Sequence, residues 1–222
     1  MYAYAYLIGC GILAIFWFIV YSTRKDLRRE MLWASFAGMP FGVLDYFLVP
    51  RYWHPDSLFG FIDKFGMGIE SFLFLFFMSG LCSVVYEFAF KKKIKKTNGH
   101  GGHVLALVVP LAAFFVFTVF FPGKVIYVFI ATGLVGTFFI TFARRDLLPK
   151  AVFSGALFAV LYGFVFFLVV RIFPDLVPSF YNLENMAGIF ILGVPLEEVL
   201  AGLFVGSFWS ISYEYVKRYR IT

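Results

Sequence analysis

The sequence predicts an all-α membrane protein: a polytopic helical bundle of seven transmembrane helices, built as two parallel three-helix repeats plus a linking helix. Three observations carry this. The 222 residues are 62% hydrophobic and 14% charged, with mean hydropathy +0.88, which is too apolar for a soluble domain. The apolar residues fall in successive runs of about 20, the length that crosses a bilayer as a helix. The loops between runs alternate between rich and poor in Lys and Arg.

The first run, Tyr2–Tyr21, lacks a basic leader and a small-residue cleavage site, so it reads as a permanent span rather than a signal peptide. Arg24, Lys25, Arg28 and Arg29 follow it. The second run, Met31–Val49, carries Asp45 and leads into Arg51-Tyr52-Trp53-His54-Pro55, where Trp53 suits an outer-interface anchor. The third, Phe65–Phe90, holds Glu70 and ends at the basic stretch Lys91–Lys96, which reads as a solvated, topogenic loop. Val104–Phe121 is the linking span. Val125–Phe142 precedes Arg144, Arg145 and Lys150. Ala151–Phe173 is sixth, and Met186–Val216 is seventh, followed by Lys217, Arg218 and Arg220. Only Arg51, Lys64, Lys124 and Arg171 fall on the other side. The positive-inside rule then places the N-terminus outside and the C-terminus in the cytoplasm, with the chain in the cell membrane. The net charge of +6 is therefore membrane-flanking and implies no nucleic acid partner.

An internal repeat runs through these spans. Arg24-Lys25-Asp26-Leu27 matches Arg144-Arg145-Asp146-Leu147 at an offset of 120, and the register continues from Phe47-Leu48-Val49 to Phe167-Leu168-Val169. After a seven-residue insertion the offset is 127, and Gly66, Glu70, Ser83, Tyr86 and Glu87 match Gly193, Glu197, Ser210, Tyr213 and Glu214. This divides the chain into a first repeat (1–97), a linking span (98–123) and a second repeat (124–222). A shift of four spans preserves direction, so the halves run parallel, and a site belongs at their interface.

Four carboxylates lie inside apolar runs at similar depth: Asp45, Glu70, Glu197 and Glu198. A charge in hydrocarbon costs at least ~2.5–3.5 kcal/mol, so such residues mark a functional site. Pro195 removes one helical N–H and frees the carbonyl of Ile191, which predicts a break in the seventh span. Gly193 and Pro195 are thus scaffold for the pair. Glu197 and Glu198 are consecutive and cannot share a helix face. One can enter a cavity while the other bonds to a neighbouring helix. Two carboxylates held close do not both ionise readily, and a protonated acid in an apolar pocket is what general-acid catalysis needs. The plainer reading makes all four structural hydrogen-bonding groups between helices.

Other polar residues read as structural. Glu87 and Glu214 sit at span ends beside Lys91 and Lys217, where snorkelling and ion pairing suffice. Asp26 and Asp146 partner the adjacent basic residues or cap the next helix. His54, His100 and His103 are loop residues whose spacing matches no metal site, and Cys10 and Cys82 suggest neither disulfide nor metal. Gly202 and Gly206 predict close helix packing. No Gly-x-Gly-x-x-Gly, Walker or paired Asp-rich motif occurs, which argues against a flavin monooxygenase, an ATPase and a prenyltransferase.

Pro195-Leu196-Glu197-Glu198, Arg144-Arg145-Asp146 with its copy at 24–26, and Leu44-Asp45-Tyr46 followed by Trp53 resemble the membrane-integral lycopene cyclases, in the fused form of the two-subunit type. The first copy carries Gly68-Ile69-Glu70-Ser71 in place of Pro-x-Glu-Glu, and Val165 stands where the first half has Asp45. The resemblance implies cofactor-independent cyclisation of the end group of a linear carotenoid such as lycopene, within the bilayer. It implies Glu197/Glu198 as proton donor, Glu70 as base or relay and Asp45 as its orienting partner. Association as a homo-oligomer or with other carotenoid-pathway enzymes stays open. The competing class is a small proton-linked transporter or a non-catalytic relative using the same carboxylates. The scarcity of Asn, Gln, Ser and Thr near them favours an apolar substrate.

Overall fold

A computed structural model describes residues 2, 4–92, 94–96 and 104–221; Lys93, His100 and His103 lie outside the described residues. The protein is nearly all helix. Among the described residues, six helical stretches are long and apolar enough to cross a membrane: Ala5–Thr23, Arg28–Leu48, Ile69–Phe90, Val125–Ala143, Arg145–Ile172 and Leu196–Lys217. The linking helix, Leu105–Phe120, has 16 residues with Pro110 inside it. At 1.5 Å per residue it reaches only about 24 Å, less than the ~30 Å hydrocarbon core. The expected seven spans are therefore six plus one shorter apolar helix.

Three helix boundaries differ from the expected runs, each for a local reason. After α1 (Ala5–Thr23), the second span is α2 (Arg28–Gly38), a 3-10 turn at Met39–Leu44 and α3 (Asp45–Leu48). Pro40 near the start of the 3-10 turn supplies no N–H for an α-type bond. The third run breaks at Gly66, whose φ of +71 closes the short α4 (Phe61–Phe65), and α5 begins only at Ile69 and runs to Phe90.

The third difference is the seventh run. Met186–Pro195 is not helical. Phe190–Ile191 (β2) and Val194–Pro195 (β3) form a hairpin across Leu192 and Gly193, both at positive φ. That is the geometry of the tight turns whose twist matches antiparallel strands. Pro195 was expected to break a helix and expose the Ile191 carbonyl; instead it is the N-cap residue of the last helix, where its missing N–H costs nothing.

The remaining elements are α6 (Leu105–Phe120), α7 (Val125–Ala143), α8 (Leu148–Ile172), α9 (Leu176–Phe180) and α10 (Leu196–Lys217). α10 is the central helix, and it packs most heavily on α8 and α7. Glycine allows the approach to α8: a Cβ on Gly206 would lie 2.9 Å from the Cβ of Phe158, and one on Gly202 would lie 3.2 Å from the Tyr162 ring. This is the close packing predicted for that pair.

Arg24 and Arg144 mark one end of the bundle. Each clamps its near neighbour with two parallel bonds: Arg24 to Asp26 at 3.0 and 2.9 Å, and Arg144 to Asp146 at 2.8 and 2.7 Å. The same clamp thus occurs at two positions 120 residues apart. At the same end, Ile94–Lys96 (β1) pairs antiparallel with Tyr219–Ile221 (β4), so part of the expected solvated loop is tied into a ribbon.

Glu87 and Glu214 do not snorkel to Lys91 and Lys217. Both are fully buried, with Glu30, around the equally buried Lys150. The Lys150 Nζ lies 2.8 Å from Glu87 and 3.2 Å from Glu30, bonds Glu214, and donates to the Ser83 carbonyl at 3.0 Å. Lys150 sits in the first turn of α8, so it belongs to the core rather than to the basic loop beside it.

Candidate active site

The other end of the bundle holds a cavity of about 140 Å³. Its wall is mostly aliphatic and aromatic, drawn from α1, the α2–α3 region, α5, α7, α8 and α10. Two carboxyl groups reach it, Asp45 and Glu198. Glu198 is in the first turn of α10, where unpaired N–H groups and the helix dipole favour a carboxylate. Asp45 instead stands late in the second helical stretch, where the 3-10 turn passes into α3 and its own N–H is bonded to the Gly42 and Val43 carbonyls, so its carboxyl depends on side-chain donors.

Glu198 accepts three hydroxyl bonds. Its Oε1 receives Tyr52 at 2.9 Å and Tyr181 at 3.0 Å, and its Oε2 receives Tyr162 at 2.6 Å. Tyr162 comes from α8 and packs where Gly202, one turn beyond Glu198, leaves room. Tyr52 and Tyr181 come from the two outer segments, which are stitched together. The His54 N–H donates to the Phe180 carbonyl at 2.6 Å and the Asn182 N–H to the Tyr52 carbonyl at 2.8 Å. The clamp on Glu198 is thus assembled from both sequence halves. Among the described groups, His54 also approaches Asp63 at 3.4 Å, in the expected loop setting.

Asp45 accepts the Trp53 indole N–H on Oδ1 at 2.9 Å and the Ser71 hydroxyl on Oδ2 at 2.6 Å. Trp53 is therefore more than an interface anchor: its ring also packs edge-on against Tyr6, with centroids 4.7 Å apart. Ser71 replaces the second Glu of the motif yet faces the same cavity.

Glu70 and Glu197 do not line this cavity. The Oε1 of Glu70 accepts the Leu58 N–H at 2.6 Å, and that of Glu197 accepts the Ala187 N–H at 2.6 Å and the Tyr127 hydroxyl at 2.7 Å. Each pins the loop ahead of its own helix. The expected division of the consecutive pair is what the structure holds, with Glu198 in the cavity and Glu197 bonded to α7. Gly193 turns the hairpin and Pro195 starts the helix, so both serve as scaffold. Among the described residues no cluster of His, Cys, Asp and Glu could hold a metal ion.

Sequence reasoning missed Tyr52, Tyr162 and Tyr181. The available signal was a tyrosine inside the sixth apolar run and another beside Trp53, but their convergence on one carboxyl depends on tertiary packing.

The family model described as lycopene cyclase matches residues 2–89 and 123–216, one stretch in each half and nearly the whole chain between them. Nothing matches among the curated proteins, and nothing among the solved structures. With long apolar helices marking a multi-pass membrane protein and the family model covering both halves, the chain belongs to the lycopene cyclase family.

Proposed function

We propose that the protein cyclises the end group of a linear carotenoid such as lycopene by proton transfer alone, with Asp45 as proton donor and Glu198 as proton acceptor. The observation that carries this is an apolar cavity into which those two carboxyls project from different halves. Family membership supplies the reaction class.

The reaction is an isomerisation, so it consumes no electrons and needs no redox cofactor. An acid adds a proton to C2 of the terminal isoprene unit. The C1 cation is attacked by the C5=C6 bond, and a proton leaves C6 to give a β-ionone ring. The chain must supply a donor, an acceptor, aromatic faces near the cation and exclusion of water. Phe74, Phe129 and Phe166 line the cavity and offer such faces. Glu198, held by three hydroxyls, is the better-solvated carboxylate and the natural counter-charge for the cation. Asp45 carries the proton to be delivered.

Size supports one end group at a time. A cavity of ~150 Å³ holds a benzene-sized molecule, which is close to the volume here. One ring fits, and the rest of the polyene stays outside, among helices and lipid. The chain's partners in this reading are a lipophilic polyene and the bilayer, with the Arg24/Arg144 end in the cytoplasm.

Expression in lycopene-accumulating cells with pigment analysis tests the assignment. The unaltered chain should yield cyclic carotenoids. Asp45→Asn and Glu198→Gln should each leave only linear pigment, a fall of ~10²-fold or more. Normal ring formation by both variants would overturn it.

A further inference from the structure

Two loops at the cavity end share a conformation that their residue types disfavour. Phe59-Gly60 and Leu192-Gly193 each place both residues at positive φ, +59 and +64 in the first and +55 and +87 in the second. Glycine takes this region freely, whereas a Phe or Leu side chain there crowds its own carbonyl. Asn or Asp is the usual residue before such a glycine. Each loop instead keeps a large apolar side chain at the strained position and leaves it exposed, 73% for Phe59 and 75% for Leu192. In water, that combination carries strain with no burial to offset it. These side chains call for an apolar surrounding that the chain itself does not supply.

The backbone sets the level at which these loops sit. Gly66 and Gly193, the glycines matched at an offset of 127, both have positive φ, and each lies against the last turn of the span before it. A Cβ on Gly66 would lie 2.9 Å from the Tyr46 ring, and one on Gly193 would lie 3.3 Å from Val170 Cγ1. Tyr46 and Val170 are each two residues short of the end of a membrane-crossing stretch, at Leu48 and Ile172. Two residues are about 3 Å of helix. The loops therefore fold back to where the spans leave the bilayer. Arg171 marks the same level, with its guanidinium over the Phe167 ring at 5.0 Å, the pose of a side chain at an interface. The neighbours of both tips are apolar. Phe61 links Phe59 to Phe65, with centroids 5.8 and 5.6 Å apart, and Phe190 and Ile191 are exposed beside Leu192. Each loop is also pinned from below, by the bonds of Glu70 to the Leu58 N–H and of Glu197 to the Ala187 N–H.

We infer that Phe59 and Leu192 are the tips of two prongs, one in each half, that insert into the headgroup–acyl boundary of the leaflet at the cavity end. The partner is lipid, met by apolar side chains about 5–10 Å into that boundary. The depth suits the backbone as well: irregular chain is not stable against lipid in the hydrocarbon core, but at the boundary headgroups and water reach its free N–H groups. The inference rests on the chain being a multi-pass membrane protein and is independent of the acid and base assigned above. It gives Glu70 and Glu197 a use outside the cavity, as the groups that hold each prong. The same two loops carry Tyr52 and Trp53 in one and Tyr181 in the other, the donors to Glu198 and Asp45. Prongs seated in lipid thus also brace the wall of the cavity.

Spin labelling tests it. Full-length protein carrying a nitroxide on Leu192→Cys or Phe59→Cys is reconstituted in phosphatidylcholine liposomes. Power saturation then reads how often each label meets dissolved oxygen, which concentrates in lipid, and a nickel chelate confined to water. Cys10 and Cys82 are buried, and the unaltered chain taken through the same labelling gives the background. Glu184→Cys, on an exposed turn ahead of the hairpin, is the water reference. Labels at both tips should meet oxygen a few-fold more often, and the nickel chelate a few-fold less often, than the label at position 184. A tip as open to the nickel chelate as position 184 stands in water and overturns the proposal. A tip shielded from both reagents is covered by protein, a second copy of the chain included, and overturns it equally. If Leu192→Cys does not fold, Phe59→Cys carries the test alone.

Discussion

Two buried groups of carboxylates occupy opposite ends of this bundle, and they are handled in opposite ways. At the Arg24/Arg144 end, Glu30, Glu87 and Glu214 close around Lys150 with no exposed surface on any of the four. At the other end, Asp45 and Glu198 are held by hydroxyls and an indole around an open space. An ammonium fixes where negative charge sits. Neutral hydroxyls satisfy a carboxyl and still leave its proton free to move. The first arrangement suits a lock between halves, and the second suits proton chemistry.

Both groups use positions related by the sequence offsets, and both break that relation. Glu30 and Lys150 are 120 apart, and Glu87 and Glu214 are 127 apart. One member of the first pair has changed sign. At the cavity, Asp45 corresponds to Val165 and Ser71 to Glu198. Each half keeps one carboxyl at the cavity but on a different helix. The outcome is one composite site rather than two copies.

The comparison breaks most severely at Lys150. Lys150→Met leaves three carboxylates facing one another in the core, and breaking a buried pair costs about 3–5 kcal/mol. Folded yield and thermal unfolding of the purified protein should both fall sharply. An unchanged unfolding temperature would remove the cluster's role as a lock.

The offset relation sharpens the same point. Glu30→Lys with Lys150→Glu moves the cation to the equivalent position in the other half, with the same three-to-one balance. The double variant should recover most of what Lys150→Glu alone loses, a coupling of about 1–3 kcal/mol between contacting residues. Stability of the double variant no better than that of the single one would show that the halves are not interchangeable here.

Smaller effects separate the two kinds of carboxyl at the cavity end. Glu197→Gln and Glu70→Gln keep an acceptor oxygen for the Ala187 and Leu58 N–H groups. They should cost about 1–2 kcal/mol of stability and leave cyclisation within a few-fold of the unaltered chain. A loss of ring formation as complete as that of Glu198→Gln would bring both residues back into the chemistry.

Much of this was legible in the sequence, because bilayer physics constrains it. Apolar run length placed the helices, and two of the intramembrane carboxylates, Asp45 and Glu198, mark the end that holds the cavity. Their local roles were less legible. Pro195 signals a break, but only the structure shows a helix start preceded by a hairpin, because the turn at Leu192-Gly193 lies in an unbroken apolar run. Lys150 follows Arg144 and Arg145 so closely that it reads as loop, and burial alone distinguishes it. The convergence of Tyr52, Tyr162 and Tyr181 joins residues up to 146 apart in sequence, beyond any local pattern.

The gentlest test concerns Trp53, where anchoring and positioning predict different things. Trp53→Phe keeps an aromatic ring against Tyr6 but removes the N–H that holds Asp45 Oδ1. If the indole only anchors the outer surface, neither kcat nor KM should change. If it confines the proton of Asp45 to Oδ2, its loss lets the proton occupy either oxygen, and only one faces Ser71. A lost hydrogen bond of about 1 kcal/mol then appears as a fall in kcat of roughly fivefold, with KM little changed because a phenylalanine ring keeps an aromatic face on the cavity wall. Steady-state kinetics on reconstituted protein distinguishes the two, and a rise in KM at constant kcat would point to the cavity wall rather than the proton.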